Sequence, residues 1–355
     1  MKKLISKSVA EQKNIPDILL NWYKDNARTL PWRSKNETNL FIGKNYPYLV
    51  WVSEIMLQQT TVKAVIPYFN LFIDTWPTVF DLANAKEEDV YSMWAGLGYY
   101  SRARNLIKCA RIISQDYKGR FPNSVGELLK LPGIGPYTSA AIVAIAFDKK
   151  ATVVDANVER VMARIFSLRK PIIEVKKQIY ALSDKLTPSE RSGDYAQAVM
   201  DLGATICRPI SPLCYRCPLS EVCLSRIKNV VHLIPKKNRR KEKPIRYGTI
   251  YVATQGRYVV LVRRPSIGLL PNMLCPPTFG WLDDKALLGP PFAASWKISF
   301  NKIYHTFTHF KLVLSVYKAE IDKIPSGFEA HLFDQNLIDS LPGLAKKVLT
   351  SSLKF

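Results

Sequence analysis

Residues Leu131–Phe147 read LPGIGPYTSAAIVAIAF. Pro132, Gly133 and Gly135 interrupt the chain, and an apolar, Ala-rich helix starts at once. GELLK at 126–130 has helical packing before the break, so the unit is helix, LPGIG, helix: a helix–hairpin–helix. Gly133 and Gly135 permit backbone conformations closed to other residues and leave no side chain in the way. Pro136 suits a first helical turn, where its missing donor costs nothing. Such a hairpin presents N–H groups and a helix N-terminus to a phosphate. It is also a plain corner between two helices, and on the hairpin alone the two readings stand level.

Charge tips the balance. The 355-residue chain holds 51 Lys+Arg against 29 Asp+Glu, a formal net charge of +22. That excess suggests a polyanionic partner, because each phosphate neutralised by Lys or Arg releases condensed counterions. Acidic membrane surfaces are a second partner class for such charge, but no apolar run reaches membrane-spanning length, so no membrane span is expected. MKKLISKSVAEQKN at the start has no apolar stretch after its lysines, so no secretory signal is expected. No coiled-coil pattern is visible, and a monomer is expected.

Four of the six cysteines fall within CRPISPLCYRCPLSEVC at 207–223. Cys207, Cys214, Cys217 and Cys223 have the spacing C-x6-C-x2-C-x5-C. Thiolates at this density point to a metal centre in a reducing, intracellular setting. Both zinc and a cubane iron–sulfur cluster accept four thiolates. The spacing lacks the paired knuckles of a zinc ribbon, which favours [4Fe–4S]. Arg208, Arg216 and Arg226 lie in or beside this loop and are candidates for phosphate contact. Cys109 and Cys275 read as packing cysteines.

Helical periodicity runs through 48–73, 86–117, 124–147 and 156–168. SKNETNLFIGKNY at 34–46 has turn chemistry and reads as a loop. KKNRRKEK at 236–243, between Pro235 and Pro244, reads as an exposed basic linker. Beyond it YGTIYVAT and RYVVLVRR flank Gln255–Gly256 as in a β-hairpin, and KLVLSVYKAEI at 311–321 is a further strand. The expected organisation is a helical region over 1–228, a linker over 229–246 and a smaller α+β domain over 247–355.

Two acids stand out. Glu54 sits alone in the apolar helix VWVSEIMLQQ, where an acid is either paired or working with a raised pKa. Asp155 follows an apolar run in ATVVDANVER and reads as an N-cap. A capping carboxylate is held rigid, which also suits a stabiliser of a cation.

A helix–hairpin–helix followed by this cysteine spacing resembles the endonuclease III superfamily of base-excision glycosylases. LPWR at 30–33, PYLVWVSEIMLQQT at 47–60, GLGYYSRARNL at 96–106 and VVDANVERV at 153–161 resemble its MutY-type adenine DNA glycosylases. The resemblance is close over 17–225 and weaker to about 316.

It implies a mainly α glycosylase region with an iron–sulfur loop, followed by a Nudix-like α+β domain. It implies double-stranded DNA with A opposite 8-oxoguanine or G as substrate. Excision of an extruded adenine in base excision repair is the implied reaction. On matching positions, Glu54 protonates adenine N7 and assists water, Asp155 stabilises the sugar cation, and Tyr137 and Asn157 support them. Relatives often have Gly where Ala156 stands.

Arg28, Trp32, Leu57 and Gln197 match the base pocket. Gln59 and Tyr99 match residues that wedge into the stack. Gly133 and Gly135 match backbone contacts to DNA. Phe307, Thr308 and His309 in YHTFTHF match the lesion-reading loop. Bifunctional relatives carry a lysine where Tyr137 stands and form a Schiff base with it. Tyrosine has no amine to supply, so a monofunctional hydrolase is expected. No glutamate run at Nudix-box spacing occurs, and no pyrophosphatase activity is expected. GLLPNMLCPPTF at 268–279 departs from the family, which tends to have Gly-Gly there.

Overall fold

The Leu131–Phe147 hairpin belongs to a helical unit. Ser124 caps a short helix over Val125–Leu128, accepting from the Glu127 N–H at 3.3 Å. The chain then turns through Gly133, whose φ is +78 and where a Cβ would lie 2.8 Å from the Asn105 Cβ. Only glycine meets both demands without strain. Gly135 caps the next helix, Pro136–Phe147, and Pro136 stands in its first turn. Every residue from Thr138 to Ile145 is buried. A helix apolar all round belongs in a core, and this one is the core helix of its unit.

The computed structural model describes residues 14–33, 40–236, 242–265, 269–270, 272–279, 281, 289–299, 301–307 and 309–353, with side chains from residue 45 in the second stretch. The helices are α1 Ile15–Asn26, α2 Leu40–Met56, α3 Val62–Thr75, α4 Val79–Asn84, α5 Glu87–Met93, α6 Ser101–Gln115 and α7 Val125–Leu128. After them come α8 Pro136–Phe147, α9 Ala156–Ile165, α10 Ile172–Leu186, α11 Ser192–Thr205 and α12 Leu224–Ile227. Helix α8 packs against α2 and α11, and α11 also packs against α1 and α9.

The 34–46 stretch is not a loop throughout, because α2 begins at Leu40 and carries Pro47 inside it. Gly43 and Asn45 are poor helix formers, but propensity is a weak prior and tertiary packing overrides it. The next turn of α2 buries Tyr46, Tyr48, Val50 and Trp51.

Two compact units divide the chain: Met1–Asn84 with Asn105–Arg239, and Ala85–Arg104 with Arg240–Phe355. In the first unit the chain after the cysteine loop stays tied down. Arg164 Nε donates to the Ile234 carbonyl at 2.8 Å, and Lys236 bridges to Pro171. Most of the basic stretch at 236–243 lies outside the described residues.

The second unit is built on a mixed sheet. Its strands are β1 Ile245–Gln255, β2 Tyr258–Arg263, β3 Leu274–Cys275, β4 Thr278–Phe279, β5 Lys297–Ile298, β6 Ile303–Thr306, β7 Lys311–Glu320 and β8 Glu329–Leu332. The hairpin read around Gln255–Gly256 is present, with Thr254 opposite Val259. The main sheet path is β3-β2-β1-β7-β5. β1 and β7 pair in parallel from Ile245↔Lys311 to Thr254↔Glu320. Parallel neighbours need a long crossover, here the 55 residues between Gln255 and Lys311. Helices α13 Gln335–Ser340 and α14 Gly343–Ser352 cover one face, burying Leu344, Val348 and Leu349 against Val252, Leu312 and Leu314.

Candidate active site

A cavity of about 820 Å³ opens in the first unit. Its wall takes residues from the segment before α2, from α2 itself, from the hairpin and α8, and from the starts and middles of α9 and α11. Glu54, Tyr137, Asp155 and Asn157 all line it, as do Arg28, Trp32, Leu57, Gln59, Gly133, Gly135 and Gln197. Eleven positions singled out from sequence are thus brought to one space.

Glu54 is 6 % exposed. It lies inside α2, where neighbouring backbone N–H groups are already committed to the helix. Burial pushes its carboxyl up from the ordinary 4.5 to about 7. A hydrogen bond with Tyr137 opposes the rise, the nearby Asp155 carboxylate adds to it, and the Arg33 charge opposes it. The Tyr137 hydroxyl also reaches Met200 Sδ at 3.6 Å. Burial, with Glu54 and Asp155 beside it, pushes the Tyr137 phenol well above its ordinary range, so it stays a donor.

Asp155 is the N-cap of α9. Oδ1 accepts from the Val158 N–H at 2.7 Å and Oδ2 from Asn157 Nδ2 at 2.8 Å. Asn157 in turn accepts from Arg160 Nη2 at 2.9 Å, and Arg160 also donates to the carbonyls of Gly203 at 2.7 Å and Cys207 at 2.8 Å. The carboxylate is therefore held on both oxygens by a chain of fixed donors.

The pocket residues are ordered by the same packing. Trp32 is buried with its ring edge-on to Phe69, centroids 5.2 Å apart. Gln197 is buried, and its Nε2 donates to the Gly193 carbonyl at 3.2 Å. Arg28 and Arg33 both bind the fully buried Asp201. Sequence reasoning passed over Arg33 and Asp201. Arg33 stood inside the LPWR motif, and Asp201 was an isolated acid in the apolar AVMDLG, the same signal that marked Glu54.

Gln59 and Tyr99 share an unusual backbone, with φ of +58 and +50. Non-glycine residues held there store strain, which accumulates at functional positions. Tyr99 is 42 % exposed and belongs to the second unit. Arg102 steadies its turn, donating to the carbonyls of Leu97 at 2.8 Å and Gly98 at 3.0 Å.

In the 304–310 segment, Phe307 is half-buried rather than free. Its ring packs against His305 at 4.6 Å, Phe310 at 4.9 Å and Trp281 at 6.0 Å between centroids. His309 is exposed. Thr308 lies outside the described residues.

Cys207, Cys214, Cys217 and Cys223 are free and half-buried in one loop. Burial pushes the Cys217 thiol up to about 12, and the other three sulfurs are near enough for their charges to add to the rise. Arg164 Nη1 donates to Cys207 Sγ at 3.3 Å. Among the described residues no three His, Cys, Asp or Glu side chains are close enough to hold a single metal ion. A cubane takes each thiolate on a separate iron and asks for wider spacing than one ion does, so four neighbouring, part-buried thiols fit such a group. Arg208, Arg216 and Arg226 border this loop, with Arg208 and Arg226 bonded to the carbonyls of Ser211 and Ser220. Cys109 and Cys275 are buried, and desolvation pushes both thiols up to about 12, as in inert packing positions.

Comparison with known proteins agrees with this geometry. The profile of the HhH-GPD superfamily of base excision DNA repair proteins matches residues 52–188. The human adenine DNA glycosylase is 35% identical over 370 aligned residues, covering 88% of this chain and 68% of the relative. The adenine DNA glycosylase of Buchnera aphidicola subsp. Baizongia pistaciae is 35% identical over 312, covering 86% of each. Among solved structures, a thermostable thymine-DNA glycosylase superposes with a TM-score of 0.55 at 29% identity, covering 62% of this chain and 99% of that one. An endonuclease III–DNA complex gives 0.50 at 25%, covering 62% and 97%. These two are likenesses of fold over 62% of the chain, whereas the two sequence relatives run through both units. With the hairpin, the capped Asp155 and the buried Glu54 in one cavity, the chain belongs to the adenine DNA glycosylase family of the HhH-GPD superfamily.

Proposed function

We infer that this protein excises adenine from DNA in base excision repair. The observation that carries this is the pairing of Glu54, pushed to about 7, with the rigidly capped Asp155 across one cavity. A base must leave the duplex to reach such a site. Glu54 in its protonated form gives its proton to N7 of the extruded adenine. The bond from N9 to the sugar C1′ breaks, and its electron pair leaves with the base. Asp155 faces the resulting oxocarbenium ion, as one of two carboxylates does in glycoside hydrolysis. Water adds at C1′ and gives its proton to the Glu54 carboxylate, which restores the acid. Free adenine and an abasic site result. Tyr137 has no amine, so no Schiff base forms and the strand stays intact.

We assign the preferred substrate as A opposite 8-oxoguanine, with A opposite G as the alternative. Gln59 and Tyr99 wedge into the stack around the base opposite the adenine, and Gly133 and Gly135 hold the DNA backbone. The second unit serves as the Nudix-like reader, with Phe307, Thr308 and His309 meeting the lesion. Phe307 leaves its aromatic cluster to do so. Cys207, Cys214, Cys217 and Cys223 hold a [4Fe–4S] cluster, which fastens the loop from α11 to α12. The protein acts as an intracellular monomer, where thiolates stay reduced.

Strand scission under single-turnover conditions, with and without alkali, tests this on duplexes with A opposite 8-oxoguanine, G or T. Scission only after alkali, fastest opposite 8-oxoguanine, is expected. Scission without alkali refutes the hydrolase mechanism. Equal rates opposite 8-oxoguanine and G refute the reader assignment while leaving adenine excision in place.

A further inference from the structure

Asp201 lies behind the cavity wall with none of its surface exposed. Both its oxygens are taken by arginines that stand in the wall. Oδ2 accepts from the Arg28 backbone N–H at 3.0 Å and from Arg33 Nη1 at 2.7 Å. Oδ1 accepts from Arg28 Nε at 2.6 Å and from Arg33 Nη2 at 2.9 Å. Arg33 is thus gripped by both ends of its guanidinium, and its Nη1 also reaches the Arg28 carbonyl at 3.5 Å. Arg28 is gripped differently, through Nε and its own backbone. Its two terminal nitrogens have no hydrogen-bond partner among the described residues, and its side chain keeps 27% exposure on the cavity.

Stability alone is a poor account of this arrangement. A buried ion pair contributes little net free energy, because desolvation offsets the Coulomb gain. Here one anion faces two cations, so the group carries an excess positive charge at the wall of an open cavity. What the geometry does secure is direction. Fixing Nε and the backbone N–H of Arg28 leaves Nη1 and Nη2 in a set plane. One turn before Asp201 on the same face of α11, Gln197 spends its Nε2 on the Gly193 carbonyl, which leaves its Oε1 as an acceptor. Adenine presents an acceptor at N1 beside a donor at N6, so a guanidinium donor next to an amide acceptor complements that edge.

We propose that Asp201 is a positioning residue for base selection: it locks Arg28 so that its terminal nitrogens meet the ring nitrogens of the extruded adenine, with Gln197 Oε1 taking the amino group. This rests on the reading of the cavity as an adenine site. Arg33, locked by the same carboxylate, is the fixed cation that faces Glu54, whose other charged or titratable neighbours are Tyr137 and Asp155.

The test is a double-mutant cycle of Asp201→Asn and Arg28→Gln, read as single-turnover excision of A opposite 8-oxoguanine. Asp201→Asn keeps size and loses the charge that grips both arginines. Misplacing a positioning group by about an ångström slows a reaction roughly 100-fold, and that is the expected loss. Affinity for a duplex carrying a non-cleavable 2′-fluoro adenosine should stay within about threefold, since Asp201 reaches no phosphate. If Asp201 acts through Arg28, the double variant is no slower than the slower single one. Losses that multiply mark Asp201 as merely structural and overturn the proposal, as does a soluble Asp201→Asn variant with the unsubstituted rate. Should Asp201→Asn fail to fold, Arg28→Lys decides. It keeps the charge and the Asp201–Arg33 pair but lacks Nε, and it should lose at least tenfold; full activity overturns the proposal. An unsubstituted protein that excises no adenine brings down the functional reading and this one with it, whereas excision without any effect of Asp201 brings down only this one.

Discussion

Replacing Glu54 by glutamine should abolish excision and, at alkaline pH, make the protein more stable. Glu54 rises from 4.5 to about 7 on folding because it is buried. Each pKa unit corresponds to about 1.4 kcal/mol, so the full effect is about 3 kcal/mol. Below pH 4.5 the folded and unfolded chains both hold the proton, and Glu54 costs nothing. Between 4.5 and 7 the unfolded chain releases it first, and stability falls as pH rises. Above 7 the ionised carboxylate stays buried and the whole penalty applies. Glutamine is neutral throughout, is close in size and can still bond to Tyr137. Glu54→Gln should therefore gain about 3 kcal/mol at pH 8.5, or roughly 6–12 °C in melting temperature for a unit of this size. At pH 5.5 the gain should be less than half of that. Thermal unfolding followed by circular dichroism at the two pH values measures it, beside single-turnover excision. Equal shifts at both pH values, or a variant destabilised at pH 8.5, would refute the account of Glu54 as a buried acid strained by ionisation.

Asp155→Asn separates the cap from the catalyst: asparagine caps as well as aspartate, so stability should move by less than about 0.5 kcal/mol while excision falls at least 100-fold, measured by melting and single-turnover rates. Gly203→Ala puts a Cβ 2.7 Å from the Asn157 Cβ and 3.3 Å from Arg160 Nη2, so Asn157 must move off Asp155; excision should slow about tenfold with duplex affinity unchanged in a binding titration. Gly133→Ala meets both a positive φ and the Asn105 side chain and should cost about 1–2 kcal/mol in unfolding free energy, together with DNA affinity in the same titration. Lys118 is exposed with φ of +52, so Lys118→Gly should raise stability by up to about 1 kcal/mol and leave excision unchanged.

The parts legible in sequence were those whose cause is local. A glycine turn with positive φ, a proline in a first helical turn and an aspartate before a helix each announce themselves within a few residues. Glu54 was legible because one acid in an apolar helix needs an explanation. Asp201 carried the same mark in AVMDLG, but its explanation is Arg28, 173 residues away in sequence. Only the packing of α1 and α11 reveals that pair. The parallel pairing of β1 with β7 had no local mark either, since it depends on a crossover. The start of α2 was misread for the opposite reason: Gly43, Asn45 and Pro47 give strong local turn signals, and burial of the aromatic residues that follow overrides them. Phe307 shows a further limit. YHTFTHF matches a lesion-reading loop with Phe307 in it, while nothing in it tells that Trp281, outside the stretch, receives the ring.

The two carboxylates of the cavity meet different surroundings on the same element type, according to where on a helix each stands. Asp155 occupies a helix N-terminus, where N–H groups lack intrahelical partners and the dipole favours negative charge. It accepts from Val158 and Asn157, and its short side chain suits that reach. Glu54 stands in the interior of α2, where every nearby N–H is spent on the helix and only side chains can answer it. Tyr137 and Arg33 do so incompletely, and the proton is retained to about pH 7. A glycosidic bond to adenine needs both states at once, an acid for the leaving base and an anion for the sugar. Backbone position sets the two different surroundings before any substrate is bound. Exchanging the two residue types would undo the arrangement at both places, because glutamate caps poorly and the shorter aspartate withdraws from Tyr137.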